Sequence, residues 1–291
     1  MTTELAVIAR ESMKKGSLSF YLASQLLPRK TREATFLLYS WCRYCDDYID
    51  EAPTHEAQER IQWLENQTSK ALLSSEPVPV PFLALRRVAN TYNIATHYPL
   101  DLLKGMRWDV EGRNYQTQND LMEYCYCVAG TVGGMMAGIL GVQDRSALKY
   151  AEDLGRAMQL TNIARDIYTD FKLARCYLPK DWLKEYKLEA AAINNIENNS
   201  IIRTLQNRLV DLADIYYHSG SKGYNYLTFF HRFAIIAAAL IYRQIGFKLA
   251  AFPKHLKKER MVVSTPEKLA IVVKSLWQLL RARYRFSPLP K

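Results

Sequence analysis

Tyr39-Ser40-Trp41-Cys42-Arg43-Tyr44-Cys45-Asp46-Asp47-Tyr48-Ile49-Asp50 decides the fold, because two rows of side chains run through it at helical spacing. With Leu38 before it, Cys42, Cys45 and Ile49 fall at steps of four, three and four, which lines up one apolar stripe on a helix. One residue along, Tyr39, Arg43, Asp46 and Asp50 repeat those steps, so Asp46 and Asp50 share a face about 6 Å apart along the axis. Such a row is either the solvated side of an amphipathic helix or the wall of a cleft. The aromatic residues around it, Trp41, Tyr44 and Tyr48, favour a cleft for some of these carboxylates.

The same grammar returns further along. Leu160, Ile163, Ile167 and Phe171 form an apolar stripe, flanked by Gln159, Asn162, Asp166 and Asp170 on one polar face. Asparagine and aspartate are poor helix-interior residues, so a row of them needs exposure or a task. A single aspartate pair four apart arises by chance about once in a chain of this length. Two pairs, each beside an apolar stripe and an arginine, carry more weight. Four carboxylates facing one another across a gap need cations between them. Hard oxygen ligands select magnesium or manganese, and magnesium commonly joins one or two carboxylates to phosphate oxygens. Arg43 and Arg165 then either touch phosphate or serve as structural ion pairs.

Apolar residues recur at three- and four-residue steps almost throughout, and alternating strand-like runs are scarce, so the chain reads as all-α. Helices are expected over 31–50, 54–73, 81–95, 99–112, 119–140, 146–172, 201–219, 224–251 and 266–285. The proline-alternating stretch 74–81 and the asparagine-rich 194–200 read as loops, and Thr265-Pro266 reads as the N-cap and first turn of the last helix. A chain of 291 residues, 49% hydrophobic, is expected to form one domain over 1–291, a helical bundle around a central active-site cavity.

The formal charge of +10 suits an anionic partner: a phosphorylated substrate, an acidic lipid surface or nucleic acid. Glu4, Arg10 and Glu11 interrupt the amino-terminal segment, which argues against a secretory signal. Five cysteines, an odd number, favour reduced thiols in a cytoplasmic setting. Cys42 and Cys45 with Cys125 and Cys127 have poor zinc spacing in the second pair and read as small core residues. The weakly polar run 128–142 is too short to span a membrane and reads as a buried helix. Its glycines, Gly130 among them, form no G-x-G-x-x-G after a strand; they suit close helix packing or room for a long apolar tail.

At these residues the chain resembles the phytoene and squalene synthase family, the head-to-head trans-isoprenyl diphosphate synthases. The likeness is carried by 39–50, by Leu154-Gly155-Arg156-Ala157-Met158-Gln159-Leu160-Thr161-Asn162-Ile163-Ala164-Arg165-Asp166-Ile167-Tyr168-Thr169-Asp170, by Arg175-Cys176-Tyr177-Leu178-Pro179, and by 124–133 between them. The resemblance implies that Asp46 and Asp50, with Asp47 adjoining, and Asn162, Asp166 and Asp170 hold two to three magnesium or manganese ions. Ser17, Ser19, Arg43, Arg165, Tyr242 and Arg260 are implied to contact diphosphate. Phe20, Tyr39, Tyr124, Gln159 and Tyr177 are implied to line the cavity, Tyr39 and Tyr124 in catalytic positions.

It further implies a transferase that condenses two geranylgeranyl diphosphates to phytoene through a cyclopropyl diphosphate, in carotenoid biosynthesis. No nicotinamide cofactor (NADPH) is expected, nor nucleic acid. The alternatives are the same chemistry on farnesyl diphosphate, giving diapophytoene or squalene, and a non-catalytic membrane-associated relative. With such apolar substrates and a basic 254–260 run, peripheral attachment at the cytoplasmic face of the membrane is expected.

Overall fold

The computed structural model describes residues 3–53, 55–142, 144–252 and 261–280, and among them there is helix and no strand. The predicted helices are present as α3 (Arg29–Asp50), α4 (Ala57–Leu73), α5 (Val80–Tyr92), α6 (His97–Val110), α9 (Leu148–Lys172), α11 (Asn199–Ser221), α12 (Phe229–Ala250) and α13 (Thr265–Leu280). The helix expected over 119–140 is α7 (Gln118–Cys125) and α8 (Thr131–Ile139), joined through one π-helical turn, Tyr126–Gly130. Such turns recur at functional sites.

Three helices were not expected: α1 (Thr3–Gly16), α2 (Leu18–Ser24) and α10 (Lys180–Glu185). In α1, Leu5, Ala9 and Met13 are buried at steps of four and pack against the cluster that holds α3. The loop expected over 194–200 is shorter, because a 3-10 turn covers Ile196–Asn198 and α11 starts at Asn199. The last helix starts one residue earlier than expected. Ser264, not Thr265, caps it: its Oγ accepts from Glu267 N–H at 3.5 Å while Glu267 accepts from Ser264 N–H at 2.6 Å.

The stripes read from sequence are the buried ones. Leu38, Cys45 and Ile49 of α3 lie in one apolar cluster with α1, α4, α5 and α6; Leu160, Ile163 and Ile167 of α9 lie in another with α11 and α12. Phe20 and Val128 pack against both clusters. Three of the four thiols weighed for zinc, Cys45, Cys125 and Cys127, are buried as core residues, and Cys42 is half-buried.

Close helix packing accounts for two of the glycines. A Cβ at Gly155 would stand 2.2 Å from the Ala129 carbonyl oxygen, and one at Gly133 would stand 2.1 Å from that of Ala151. These are backbone atoms, which cannot rotate aside. Gly155→Ala is therefore expected to cost about 1–3 kcal/mol through overpacking, read as a lowered midpoint in urea unfolding. An unchanged midpoint would show that the π-helical turn and α9 can separate freely.

Candidate active site

The polar faces of α3 and α9 meet through the loop that follows α9. That helix closes with Ala174 in the left-handed region at φ +59, where Arg175 N–H reaches back to the Asp170 carbonyl at 2.9 Å. Glycine usually fills this position, since a Cβ is disfavoured there. The turn delivers Arg175, whose Nη2 donates to Asp50 Oδ1 at 2.7 Å. Burial works against the Arg175 charge, yet Tyr177, Asp109 and Asp50 around it raise its pKa. Arg175 also bears electrostatically on Asp46 and Asp170, so one guanidinium serves both acidic helices.

Each remaining aspartate has its own arrangement. Arg43 donates to Asp47 at 2.9 Å and to Asp46 at 3.4 Å. Arg165 grips Asp166 through Nε at 2.9 Å and Nη2 at 2.5 Å. Both arginines are thus ion-paired to their neighbouring acids, the structural role left open above. Asp47, expected to adjoin the metal set, has both oxygens taken up by Arg43.

Asp46 keeps 51% of its side-chain surface open, yet enclosure and then the Asp50 charge push its pKa up to about 6. It is both reachable from solvent and poorly hydrated, as a group in a concave wall is. Asp170 rises to about 7, chiefly by burial and then by the Asp166 charge. It lines a shallow recess with Ile163, Ile167, Arg175, Tyr177 and Leu178.

Among the described residues, no three carboxylate, thiol or imidazole groups converge on one point that would hold an ion alone. The donor chemistry nonetheless fits a hard cation completed by phosphate oxygens. Asn162 Oδ1 is buried with no hydrogen-bond partner, while its amide nitrogen donates to Gln159 at 3.4 Å. An orphaned acceptor on the same face as crowded carboxylates suits magnesium.

These shifts set a pH dependence. Asp46 and Asp170 are held above an ordinary aspartate value of about 3.9, so between that value and about 6 to 7 the folded chain binds more protons than the unfolded one. Stability of chelated protein should therefore fall as pH rises from about 4 to 7. The groups facing them, Asp50, Asp47, Arg43 and Arg175 for Asp46 and Asp166, Asp109, Arg165 and Arg175 for Asp170, are already counted in those directions. Magnesium with inorganic diphosphate should raise the melting temperature more at pH 8 than at pH 5. A chelated protein that melts higher at pH 8 would contradict the assignment.

A second cluster was not read from sequence. Asp109 of α6 accepts from the Tyr124 hydroxyl at 2.7 Å and the Tyr177 hydroxyl at 3.0 Å, and the two rings stack at 4.8 Å. Burial raises Asp109 to about 6, against the opposing effects of Arg175 and the two phenols. Burial also drives both tyrosines well above their ordinary value, so they stay protonated. Tyr124 and Tyr177 were expected at the cavity; their shared carboxylate was not. Asp109 had no advance signal, because Arg107 and Glu111 on either side make it one charge among several at the end of α6.

The other expected positions gather nearby. Phe20 stacks on Tyr242 at 4.8 Å. Tyr242 acts electrostatically on both Tyr39 and Arg165, and burial holds Tyr39 up at about 12. A Cβ at Gly16 would strike the Tyr39 hydroxyl, which puts the α1–α2 junction on this wall. There Ser17 caps α2 by accepting from Phe20 N–H at 3.3 Å, and Ser19 follows half-buried. Arg260 lies outside the described residues.

Residues 13–267 match the family model for squalene/phytoene synthase. The chain is 40% identical to a 15-cis-phytoene synthase of Enterobacter agglomerans, over 93% of this chain and 95% of that one. It is 38% identical to a 15-cis-phytoene synthase of a Paracoccus species, over 97% and 94%. Among solved structures it resembles a dehydrosqualene synthase in complex with ligand, with a TM-score of 0.81 at 28% identity over 96% of this chain and 97% of that one.

Proposed function

From the premise that the chain belongs to the squalene/phytoene synthase family, we propose that it condenses two geranylgeranyl diphosphates head to head to phytoene through a cyclopropyl diphosphate. The observation that carries this reading is the bridging of the two aspartate faces of α3 and α9 by Arg175, within a chain 40% identical to a 15-cis-phytoene synthase.

Asp46, Asp50, Asn162, Asp166 and Asp170 would hold two to three magnesium or manganese ions, which neutralise the leaving diphosphates when bound. Arg43 and Arg165, already oriented by their acids, lie ready to share those partners with phosphate oxygens as charge develops. Diphosphate loss leaves an allylic cation, which the double bond of the second substrate attacks. Aromatic faces and oxygen lone pairs along the wall tolerate that charge and keep water out.

Asp109 organises part of that wall. Each phenol has one hydrogen, and the ionised Asp109 draws both towards itself. The phenol lone pairs are then turned elsewhere and enriched in electrons. Tyr124, backed by Asp109, can take a proton from the cation while passing its own to the carboxylate.

The likeness to a dehydrosqualene synthase keeps the same chemistry on farnesyl diphosphate as the second reading. A non-catalytic role is disfavoured because both aspartate pairs are kept. The deciding experiment supplies labelled geranylgeranyl and farnesyl diphosphates with and without metal, chelator and nicotinamide cofactor. Phytoene formed without reductant and abolished by chelation supports the proposal. A thirty-carbon product alone would move the chain to the second reading, and no hydrocarbon from either substrate would sink both.

The apolar tails and product also lead us to propose a cytoplasmic protein attached peripherally to the inner face of the membrane. Among the described helices only α12 is long and apolar enough to cross a bilayer, and most of it is buried inside the protein against α9, α11 and α13.

A further inference from the structure

We propose that the outward face of α13 is the surface by which this protein lies on an anionic membrane; this rests on the membrane attachment proposed above and locates it. The helix has two faces of opposite design. Ile271, Ser275 and Leu279 turn inward towards the core, with Lys268 and Ser275 buried. Outward at steps of three and four stand Leu269 (56% exposed), Val273 (68%), Leu276 (37%), Trp277 (53%) and Leu280 (67%).

Soluble proteins rarely present so continuous an apolar stripe without something to set it against. About three helical turns of it match the side that interfacial helices press about 5–10 Å into a bilayer. Over its 16 described residues the helix reaches about 24 Å, short of a hydrocarbon core of about 30 Å. Its inner face is already committed to the protein.

Charge chooses the occupant. Glu267 is the last acidic residue of the chain, and it is taken up by Lys248 at 2.9 Å. Beyond it come Lys274 and then, in sequence, Arg281, Arg283, Arg285 and Lys291. A second copy docking here would bring like charge against like charge in a molecule that already carries +10. Acidic headgroups are attracted by the same residues. Phe229 and Phe230 are also exposed at the start of α12, the end away from Lys248.

The test is co-sedimentation at low salt with vesicles of phosphatidylglycerol and phosphatidylcholine, and with phosphatidylcholine alone. Wild type should pellet with the acidic vesicles, less so with neutral ones. Val273→Glu with Leu280→Glu should weaken acidic-vesicle binding at least about tenfold, while the melting temperature and turnover of detergent-dispersed substrate stay unchanged. If that pair lowers the melting temperature, Val273→Ser with Leu280→Ser replaces it, with at least about threefold weaker binding expected.

Variant binding equal to wild type overturns the assignment of the face. Loss confined instead to replacement of Lys254, Lys257 and Lys258 by serine overturns it in favour of that basic run. A wild-type dimer that the paired glutamates dissociate, with vesicle binding intact, makes the stripe a contact between copies and also overturns it. A wild type that ignores vesicles yet makes phytoene in detergent removes both the face and the membrane attachment while leaving the enzyme reading standing.

Discussion

Asp46→Asn and Asp166→Asn are each expected to lower turnover by about 10²–10³-fold with the fold intact, the scale seen when one preorganised electrostatic contact to a transition state is lost. The two positions differ in a way the assay can read. Asp46 is half open and paired only at 3.4 Å with Arg43, so its removal leaves its arginine bound to Asp47. Its effect should concentrate in metal dependence, with activity partly recovered at high magnesium. Asp166 is held by two hydrogen bonds from Arg165, which is itself only 13% exposed. Replacing it frees a largely buried guanidinium, so metal titration should not restore activity and some stability should go with it. Magnesium titrations of initial rate, beside urea unfolding, separate the cases. Full activity in either variant would sink the metal assignment.

Asp109→Asn is expected to reduce product formation by about 10²-fold, within the range of a positioned proton-transfer group. An amide of the same shape can still bond both phenols, but it carries no negative charge and cannot accept the relayed proton. The defect should therefore be untouched by metal concentration and should narrow only below about pH 6, where the wild-type carboxylate is itself protonated. Tyr124→Phe should produce a loss of similar size, and the double variant should lose little more than either alone, because the two residues act as one unit. Additive losses would show independent roles. Wild-type turnover should fall below about pH 6, where Asp109 takes up its proton. Product analysis adds a readout that a merely structural role would not move: in Asp109→Asn the cyclopropyl diphosphate should fall together with phytoene, since ring closure needs the proton loss that Tyr124 and Asp109 carry, while supplied cyclopropyl diphosphate should still be converted.

The two acidic rows were legible because an α-helix converts spacing into facing, so Asp46 with Asp50 and Asn162 with Asp166 and Asp170 had to share sides with stripes that had to be buried. The resemblance then supplied chemistry that spacing could not. Helix α1 is legible in principle through Leu5, Ala9 and Met13, but Glu4, Arg10 and Glu11 beside them blur the stripe. With seven residues, α2 is too short for periodicity to speak.

Arg175 shows where reading from sequence stops. It sits in a loop, its approach to Asp50 spans 125 positions, and the turn that aims it relies on an alanine in a conformation for which alanine gives no cue. Asp109 is similar: one acid on α6 acquires meaning only when Tyr124 and Tyr177, from two other segments, close over it. Helical periodicity was enough to establish the fold class and which side chains lie along each helix, since local spacing and burial of apolar stripes require no knowledge of neighbours. Which faces meet, which arginine neutralises which acid and which carboxylate stands behind the tyrosines emerged from the packing. Those pairings depend on directions and distances between segments remote in the chain, and on the desolvation that exists only once they are packed.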